Sequence, residues 1–478
     1  MSRLIPSLLA VVTVSLATSA SADVPFRQLA HSGLGGIAGA VSASGVIVGS
    51  IRVDGSSSGN VPVYWTTPNS LPVELPSGGG GFAVDINSSG DIIGRVYGGF
   101  WGRSVIWSNN QMFMLPDLGE GAWVYDINDA GVIVGVVIEE GQFRAARWVN
   151  RQLEILPVPA FGKGEEVAVW SFAQSVNSSG AIAGTIQVAG GGSSVALLWG
   201  VDGSISIIES DAGPTYGVGV DNAGGVCVNG FFEGELGNTA TIVRPNGSIL
   251  PLAGNDSGSF GSCVGRNGIA AGYYSDFSGL QPVAWPNGQR TLLELPQGST
   301  QGFAQAVGMN GMVVGSVNGI EPGIQLPVVW QLAIEPNRLQ AAPVSGERGE
   351  TVELSSTSSR KSGPNVGYSV SVRVGGVSVG SAITDSNGVA KVSYTIPAST
   401  KGSQLTAEFI DETGTSTTAL IQVVTGGLLG DIDGDGRVNS SDLGALLGSW
   451  GASGPADLDR SGEVDSADLG ILFAGWTG

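Results

Sequence analysis

A unit of about 44 residues recurs seven times between residues 26 and 332, and this repeat constrains the fold more than any other feature of the sequence. The clearest copies read FAVDINSSGDIIG from Phe82 to Gly94 and WVYDINDAGVIVG from Trp123 to Gly135. The seven copies start at Ile37, Phe82, Trp123, Phe172, Tyr216, Phe260 and Phe303. Most of the chain must therefore be built from similar units placed next to one another.

Each unit indicates four short strands separated by turns of Asn, Ser, Asp and Gly. Arg244 marks the third strand of the fifth unit, whereas the other six units have a tryptophan there: Trp65, Trp107, Trp148, Trp199, Trp285 and Trp330. Four-stranded units of this period are typical of propeller blades, so we predict a mainly β protein with a seven-bladed β-propeller over residues 23–332. The unit resembles the HAF-type repeats of exported bacterial proteins, a family that implies no particular chemistry.

The two ends of the repeat region complement each other. The seventh unit ends after its tryptophan strand at Trp330 and has no clear fourth strand, while a strand-like segment, Phe26 to Leu29, precedes the first copy. We predict that this N-terminal strand completes the seventh blade, which removes open sheet edges that would otherwise promote aggregation.

The first strand of each unit begins with a large residue and then carries mostly small residues on one face, which fits the innermost strand of a blade. Asp85 and Asp126 occupy one position of this strand in two units. Paired carboxylates could serve a glycosidase, but we favour a turn-capping role for an Asp before Ile-Asn. The large first residues could stack on sugars at one mouth of the propeller, although a residue repeated in every blade is more often core between blades.

Residues 338–424 differ in composition, being rich in Ser, Thr and Val and lacking tryptophan. Strand-like runs alternate there with turn signals such as Gly375-Gly376 and Asn387-Gly388, which predicts a small β-sandwich. The run from Thr384 to Ala390 resembles the hairpin of Big-1-type bacterial Ig-like domains, and this resemblance implies an Ig-like spacer on the cell surface.

Two twelve-residue loops near the C-terminus carry the most specific motif, DIDGDGRVNSSD and DLDRSGEVDSAD. Oxygen-bearing side chains stand at loop positions 1, 3, 5, 9 and 12, glycine stands at position 6, and position 7 offers a backbone carbonyl, as in an EF-hand. This pattern predicts two calcium ions. The predicted ligands are Asp431, Asp433, Asp435, Arg437, Asn439 and Asp442 in the first loop and Asp457, Asp459, Ser461, Glu463, Asp465 and Asp468 in the second.

Each loop is followed by one short amphipathic stretch, and no comparable helix precedes it. The apolar positions are Leu443, Leu446, Leu447 and Trp450 in the first stretch and Leu469, Leu472, Phe473 and Trp476 in the second. This small α-helical segment, residues 428–478, resembles a type I dockerin, a calcium-binding family that docks on cohesin modules in polysaccharide-degrading assemblies. The resemblance implies that loop positions 10 and 11 select the partner, and these residues are Ser440, Ser441, Ser466 and Ala467.

The N-terminus and the charge indicate where the protein acts. Arg3, an apolar run from Leu4 to Leu16 and then Ala20-Ser21-Ala22 predict a secretory signal peptide over residues 1–22. No other apolar stretch is long enough to span a membrane. The net charge of −20 argues against nucleic-acid binding. We therefore expect a secreted or cell-surface protein.

The sequence contains no recognisable active-site motif, and its one histidine is His31. The two cysteines, Cys227 and Cys263, could form a disulfide or remain buried thiols. We predict a non-catalytic binding or display protein that docks, with calcium, on a cohesin-like or other surface protein, and whose propeller could bind a polysaccharide. The alternative is a carbohydrate-active enzyme of the glycoside-hydrolase type, targeted to polysaccharide by its dockerin-like tail.

Overall fold

The structure is a computed structural model that describes residues 23–477 apart from residues 32–33, 54–58, 99–101, 160–167, 189–193, 211, 233–237, 253–257, 277–278, 320, 322, 362, 399, 401–402 and 425–428. The predicted signal peptide, residues 1–22, lies outside the described residues. Strands dominate the described part of the chain, so the protein is mainly β, as predicted.

Residues 26–331 form seven antiparallel four-stranded sheets, which we number 1 to 7 along the chain. Sheet 1 consists of Gly36–Val41, Ile47–Arg52, Asn60–Trp65 and Val73–Glu74, and sheet 2 of Gly81–Ile86, Ile92–Val96, Arg103–Ser108 and Gln111–Met114. Sheet 3 consists of Ala122–Ile127, Ile133–Glu139, Gln142–Val149 and Gln152–Ile155, and sheet 4 of Ala168–Val176, Ile182–Val188, Ser194–Trp199 and Ile205–Ile208. Sheet 5 consists of Thr215–Val220, Val226–Phe231, Asn238–Val243 and Ile249–Pro251, and sheet 6 of Ser259–Val264, Ala270–Asp276, Gly279–Trp285 and Thr291–Leu292. Sheet 7 consists of Gly302–Val307, Met312–Asn318, Gln325–Gln331 and the N-terminal strand Phe26–Gln28.

The sheets pack side by side into a closed, propeller-like ring, in which sheet 7 also packs against sheet 1. The first strand of every sheet contains a β-bulge two residues before its last residue. The seven bulge residues face one central channel, and they are Gly39, Val84, Tyr125, Gln174, Val218, Ser262 and Gln305. The first strands are therefore innermost, as the small residues in the sequence predicted.

The N-terminal strand closes the ring. It runs antiparallel to the third strand of sheet 7, with Phe26 opposite Trp330 and Gln28 opposite Val328. The Leu29 N–H donates to the Pro327 carbonyl over 2.9 Å, and the Leu29 side chain is only 1% exposed. This pairing confirms the predicted closure.

Tryptophan side chains join neighbouring sheets through a repeated hydrogen bond. In each case the indole N–H of a third strand donates to a carbonyl just after the outer strand of the preceding sheet. The bonds run from Trp107 to Pro76, Trp148 to Pro116, Trp199 to Pro157 and Trp330 to Glu294, with lengths of 2.6–2.9 Å. Trp65 of sheet 1 donates in the same way to Ala30, directly after the N-terminal strand, over 2.8 Å. The N-terminal strand is therefore the outer strand of sheet 7, and the residue after it accepts the tryptophan bond from sheet 1.

Residues 338–424 form a second unit of two packed sheets, which we call the two-sheet unit. One sheet contains Arg338–Ala341, Thr351–Arg360, Gly363–Pro364 and Val389–Thr395, and the other contains Val344–Glu347, Ser369–Val374, Val377–Ile383, Gln404–Asp411 and Ser416–Val424. Leu354 of the first sheet shares a buried core with Phe409 and Ile421 of the second.

The two-sheet unit contacts the ring at the end where the first strands turn into the second strands. Glu412 is only 9% exposed; its carboxylate accepts hydrogen bonds from the Ser178 hydroxyl (2.8 Å) and from the Asn222 amide (2.7 Å). A Cβ atom at Gly367 would lie 1.9 Å from the Asn222 carbonyl oxygen, so this approach requires glycine. Burial raises the pKa of Glu412 to about 7, although the Arg266 charge and the Ser178 bond lower it.

The C-terminal tail, residues 429–477, contains the two helices Ser440–Gly448 and Ser466–Ala474, which contact each other. Among the described residues, no helix is long and apolar enough to cross a membrane.

Deleting residues 23–30 should destabilise the ring far more than the loss of eight surface residues would. The deletion removes three paired strand residues and the buried Leu29, which together contribute about 4 kcal/mol. We expect the melting temperature in calorimetry to fall by roughly 10 °C. Leu29→Ala should reproduce part of this loss, whereas Leu71→Ala, at a leucine that is 78% exposed, should not. Equal melting temperatures for the full and shortened chains would refute the closure.

Glu412 should make stability depend on pH. Because its folded pKa is raised, the protonated form is favoured in the folded state, so the contact is strongest below about pH 4.5 and weakens as the pH rises through about 7. Between pH 5 and pH 8 the loss should amount to about 2 kcal/mol. Thermal melts of Glu412→Gln, which cannot ionise and can still accept the bond from the Asn222 amide, should show a flatter pH dependence than the parent. Glu74→Gln on the ring surface is the control, and identical profiles for parent and Glu412→Gln would contradict the assignment.

Candidate functional site

Four carboxylates of the first predicted calcium loop converge in the structure. One oxygen from each of Asp431, Asp433, Asp435 and Asp442 lies within 4.8 Å of the others. In the second loop, Asp457, Asp459 and Asp468 form the same arrangement. The structure therefore brings together seven of the residues that the sequence motif selected.

The last aspartate of each loop organises the loop backbone. Asp442 is fully buried; one of its oxygens accepts hydrogen bonds from the Ile432 and Asp433 N–H groups (2.7 and 3.1 Å), and the other accepts one from Asn439 (2.9 Å). Asp468 binds Leu458, Asp459 and Asp465 in the same way. The bond from the Asp465 N–H, helped by those from Asp459 and Leu458, lowers the pKa of Asp468, although burial opposes it. These aspartates hold both ends of each loop.

The first aspartate of each loop stabilises the sharp turn in the middle. Asp431 accepts a 2.8 Å bond from the Gly436 N–H, and Asp457 accepts the equivalent bond from Gly462. Gly436 has φ of +84°, which explains why glycine stands at loop position 6.

The remaining predicted ligands have other or additional roles. Asn439 and Asp465, at loop position 9, are the N-caps of the two helices, where they accept bonds from the Ser441 and Ala467 N–H groups. The Ser461 hydroxyl donates to the Glu463 carbonyl over 3.1 Å. The side chains of Arg437 and Glu463 are exposed, which suits positions that would contribute only a backbone carbonyl.

The charge of the loops favours a bound cation. The N–H of Asp435 lowers the pKa of Asp433, but burial and the charges of Asp435, Asp442 and Asp431 raise it above its ordinary value overall. Carboxylate, amide and carbonyl oxygens are the donors that a hard cation such as Ca²⁺ prefers. The residues present thus fit a calcium ion in each loop, and the ion would relieve the repulsion between the carboxylates.

The four residues predicted to select a partner lie on the surface. Ser440, Ser441, Ser466 and Ala467 are all exposed and stand at the first two positions of the two helices. This exposure is what docking at these positions would require.

The apolar stripes of the two helices pack on each other only in part. Leu446 and Leu472 are buried, but Leu447, Trp450, Phe473 and Trp476 are 39–52% exposed. The tail core is already filled by the two buried leucines with Val438, Ala456 and Val464. Trp450 and Trp476 lie beyond the ends of the nine-residue helices, so they add an exposed apolar patch rather than core.

Charged residues also meet in the channel of the ring, in a cavity of about 180 Å³. Asp85 accepts a 2.9 Å bond from the Ile127 N–H of sheet 3, and Asp126 accepts 2.8 Å bonds from the Val176 N–H and Ser175 hydroxyl of sheet 4. These carboxylates therefore join neighbouring sheets, and the predicted role of capping their own turns is wrong. Burial, followed by the charge of Asp126 and a hydrogen bond to it, raises the pKa of Asp85 well above its usual range.

Asparagines cap the turns instead. Asn128 and Asn177 each accept a 2.9 Å bond from a backbone N–H four residues later. Their amide groups also donate to the turn of the next sheet, Asn128 to Asn177 and Asn177 to Asp221, both over 3.0 Å. In these two turns, one asparagine both shapes the turn and links it to the next sheet.

Arg266, from the turn of sheet 6, reaches the turn of sheet 3. It donates to the Ile127 carbonyl over 2.6 Å and lies 3.9 Å from Asp126 and 3.7 Å from Asp129. Burial lowers the pKa of Arg266, but the carboxylates of Asp129, Asp126 and Asp85 raise it above its ordinary value. The Arg266 side chain therefore links sheets 3 and 6 at this end of the channel.

The large residues that begin the first strands are only partly buried, although some pack between neighbouring sheets, as we favoured. Phe172 of sheet 4, for example, stacks 5.4 Å from Phe143 of sheet 3. Phe82, Trp123, Phe172, Phe260 and Phe303 are half-buried. Tyr216 is 42% exposed. Several contact further rings from the second and third strands, with Trp123 5.1 Å from Phe143 and Phe260 5.2 Å from Tyr273 between ring centroids. Aromatic side chains therefore surround the mouth opposite the two-sheet unit.

The two cysteines remain free thiols in the structure, one in sheet 5 and one in sheet 6. Burial raises the pKa of Cys263 to about 12, and it raises that of Cys227 further. Both groups are therefore neutral and unreactive at physiological pH.

No family model and no curated protein matches the chain. Among solved structures it is similar to TolB from Acinetobacter baumannii, with 11% identity and a TM-score of 0.35 over 52% of this chain and 62% of TolB. It is also similar to virginiamycin B lyase from Staphylococcus aureus, with 10% identity and a TM-score of 0.41 over 64% of this chain and 98% of that one. A gluconolactonase from Xanthomonas campestris matches with 16% identity and a TM-score of 0.32 over 51% of this chain and 82% of the enzyme. These neighbours are β-propeller-like proteins, and the match spans less than two thirds of the TolB chain.

The isolated tail, residues 428–478, should fold only when calcium is present. Without a cation the clustered carboxylates repel one another, and nine-residue helices are too short to persist alone. Far-ultraviolet circular dichroism should show helix on calcium addition and its loss with chelator. A tail carrying Asp431→Asn and Asp457→Asn should gain little helix. The same helix content of the unmodified tail in calcium and in chelator would refute the expectation.

Proposed function

We propose that the chain is an exported, non-catalytic binding or display protein whose tail docks on another protein in a calcium-dependent manner. In this proposal residues 1–22 direct export and the seven sheets are the blades of a seven-bladed β-propeller, residues 23–332. Residues 338–424 are an Ig-like spacer, and residues 428–478 are a dockerin-like module that binds two calcium ions.

The observation that carries the proposal is the repeated loop together with the pairing that joins the two copies. The Thr477 N–H donates to the Val438 carbonyl over 2.9 Å, next to the first loop helix. At the equivalent place in the other copy, the Gly451 N–H donates to the Val464 carbonyl, also over 2.9 Å. Each pairing ties the end of one helix segment to the other loop, so cations in the loops would fix both helix starts relative to each other.

The exposed surface of the tail supports docking on a protein. Ser440 and Ser441 on one helix, with Ser466 and Ala467 on the other, are small enough to allow a partner close to the backbone. The exposed Trp450 and Trp476 side chains offer apolar area of the kind enriched at the centres of protein interfaces. We propose a cohesin-like or other surface protein as the partner.

The channel carboxylates support a binding role over catalysis. Asp85 of sheet 2 and Asp126 of sheet 3 both line the channel cavity. Their oxygens also accept bonds from neighbouring sheets. These two carboxylates therefore stabilise contacts between neighbouring sheets of the ring.

Removing the first ligand of each loop should abolish partner capture. The double variant Asp431→Ala, Asp457→Ala loses the carboxylates that hold the central turns, so both loops should lose calcium and the helix starts should lose their fixed arrangement. Capture can be measured on immobilised type I cohesin modules and on proteins secreted by the native host, with calcium and with chelator. The control is Arg437→Ala with Glu463→Ala, which leaves the backbone carbonyls in place and should bind normally.

Replacing Ser440, Ser441 and Ser466 with arginine should weaken capture at least tenfold and leave calcium binding intact, because these side chains are exposed and lie outside the carboxylate clusters. Calorimetric titration with calcium separates the two effects. Normal capture by both sets of variants would mean that the tail has no docking role.

A further inference from the structure

We propose that the aromatic mouth of the ring binds a neutral glycan in a cleft between the first strands of sheets 4 and 5. This inference rests on the proposed binding function of the ring and names the class of ligand. The cleft has a volume of about 510 Å³, which lies within the range of ligand pockets in proteins. Trp170 and Phe172 come from one wall and Tyr216 from the other.

The cleft presents aromatic faces to solvent. Trp170 is 37% exposed and Tyr216 is 42% exposed, although both lie on innermost strands. A pyranose ring carries C–H groups on its faces and hydroxyl groups around its edge. The C–H groups pack favourably on the electron-rich face of an indole or a phenol, so two such faces in one cleft suit a sugar ring.

The indole is held in place by other rings. The edge of Phe143 meets Trp170 with centroids 5.5 Å apart and planes at 88°, and Phe143 stacks on Phe172 at 5.4 Å. The two walls are joined by the 3.1 Å bond from the Gly217 N–H to the Thr185 hydroxyl. A supported side chain loses little rotamer freedom on binding, which lowers the entropic cost.

Two amides provide the polar groups that sugar hydroxyls require. Gln174 and Gln187 line the cleft, and Gln187 stands directly opposite Trp170 in the strand register. Within the described part of the chain, neither side-chain amide has a hydrogen-bond partner. Each amide offers a carbonyl acceptor and two N–H donors, which matches the mixed donor and acceptor character of a hydroxyl group.

The absence of charged side chains among the described lining residues indicates which class of ligand the cleft can bind. Every described residue that lines it is uncharged, and the whole chain has a net charge of −20. An acidic polysaccharide would meet repulsion and no cationic partner, and a phosphate-bearing ligand would meet the same difficulty. Aromatic faces with free amides and no charge therefore favour a neutral glycan.

The cleft faces away from the two-sheet unit. Glu412 contacts Ser178 and Asn222 just after the ends of the two first strands, whereas Trp170 and Tyr216 lie near their beginnings. Val176 lies six positions along the extended strand from Trp170, which places the two ends roughly 20 Å apart. A glycan can thus bind while the spacer stays in contact with the ring.

The test uses the full mature chain in native gels that contain neutral polysaccharides such as glucans, xylan, mannan and chitin derivatives, with polygalacturonate and alginate as acidic comparisons. Retarded migration in a neutral polysaccharide identifies the ligand, and calorimetry with its oligosaccharides then gives Kd. We expect Trp170→Ala and Tyr216→Ala each to raise Kd at least tenfold, Gln174→Ala with Gln187→Ala to raise it similarly, and Trp170→Phe to retain part of the affinity. Thermal melts check that the variants remain folded.

Trp476→Ala is the matched control, since it removes a tail indole of similar exposure (39%, against 37% for Trp170) and should leave glycan affinity unchanged. Binding of no neutral glycan, binding of acidic ones alone, or a Kd unaffected by Trp170→Ala and Tyr216→Ala would overturn the inference. Glycan binding should persist in chelator, whereas partner capture should not. A chain that captures its partner and ignores every glycan would therefore overturn this inference and leave the docking proposal standing.

Discussion

The ring depends on the pairing between its N-terminal strand and the third strand of sheet 7. Each sheet packs mainly on its two neighbours, as in other repeat folds, so a ring that failed to close would expose two apolar faces at once. The pairing also reaches beyond sheet 7, because the Ala30 carbonyl that follows the strand accepts the Trp65 indole of sheet 1. Closure is what holds the seven bulged strands around a single channel.

A repeat with a fixed direction gives the ring two chemically different ends. Every first strand begins near an aromatic or other large apolar side chain and ends in a polar turn. At the turn end, asparagines and Arg266 link successive or distant turns, and Glu412 of the two-sheet unit adds to this network. At the other end, aromatic rings remain partly open to solvent. The repeat therefore places polar turns at one end of the ring and partly exposed aromatic rings at the other.

The sequence alone predicted what local patterns determine. The repeat period predicted the four-stranded sheets, and the missing fourth strand predicted how the ring closes. The spacing of Asp431 to Asp442 predicted the carboxylate cluster. Other features depend on contacts between distant residues. The bulge after Ala83 breaks the alternation of the strand and turns Asp85 toward sheet 3, which no alternation pattern anticipates. Nothing in the local sequence links Glu412 to Ser178, and the open position of Trp170 follows from how adjacent sheets pack. Asn439 shows a further limit, since one side chain fits both a ligand pattern and a helix-cap pattern.

The position of the closing strand also sets the order in which the ring can fold. Phe26 to Gln28 leave the ribosome before every other strand of the ring, yet their partner, Gln325–Gln331, is the last strand to be made. Contacts between residues so far apart in sequence are slow to form, because the entropy of closing the intervening chain must be overcome first. Successive sheets can assemble as they are synthesised, but the complete ring exists only after the final strand is available. Until then sheet 7 lacks a pair of its strands and sheet 1 lacks a complete neighbour.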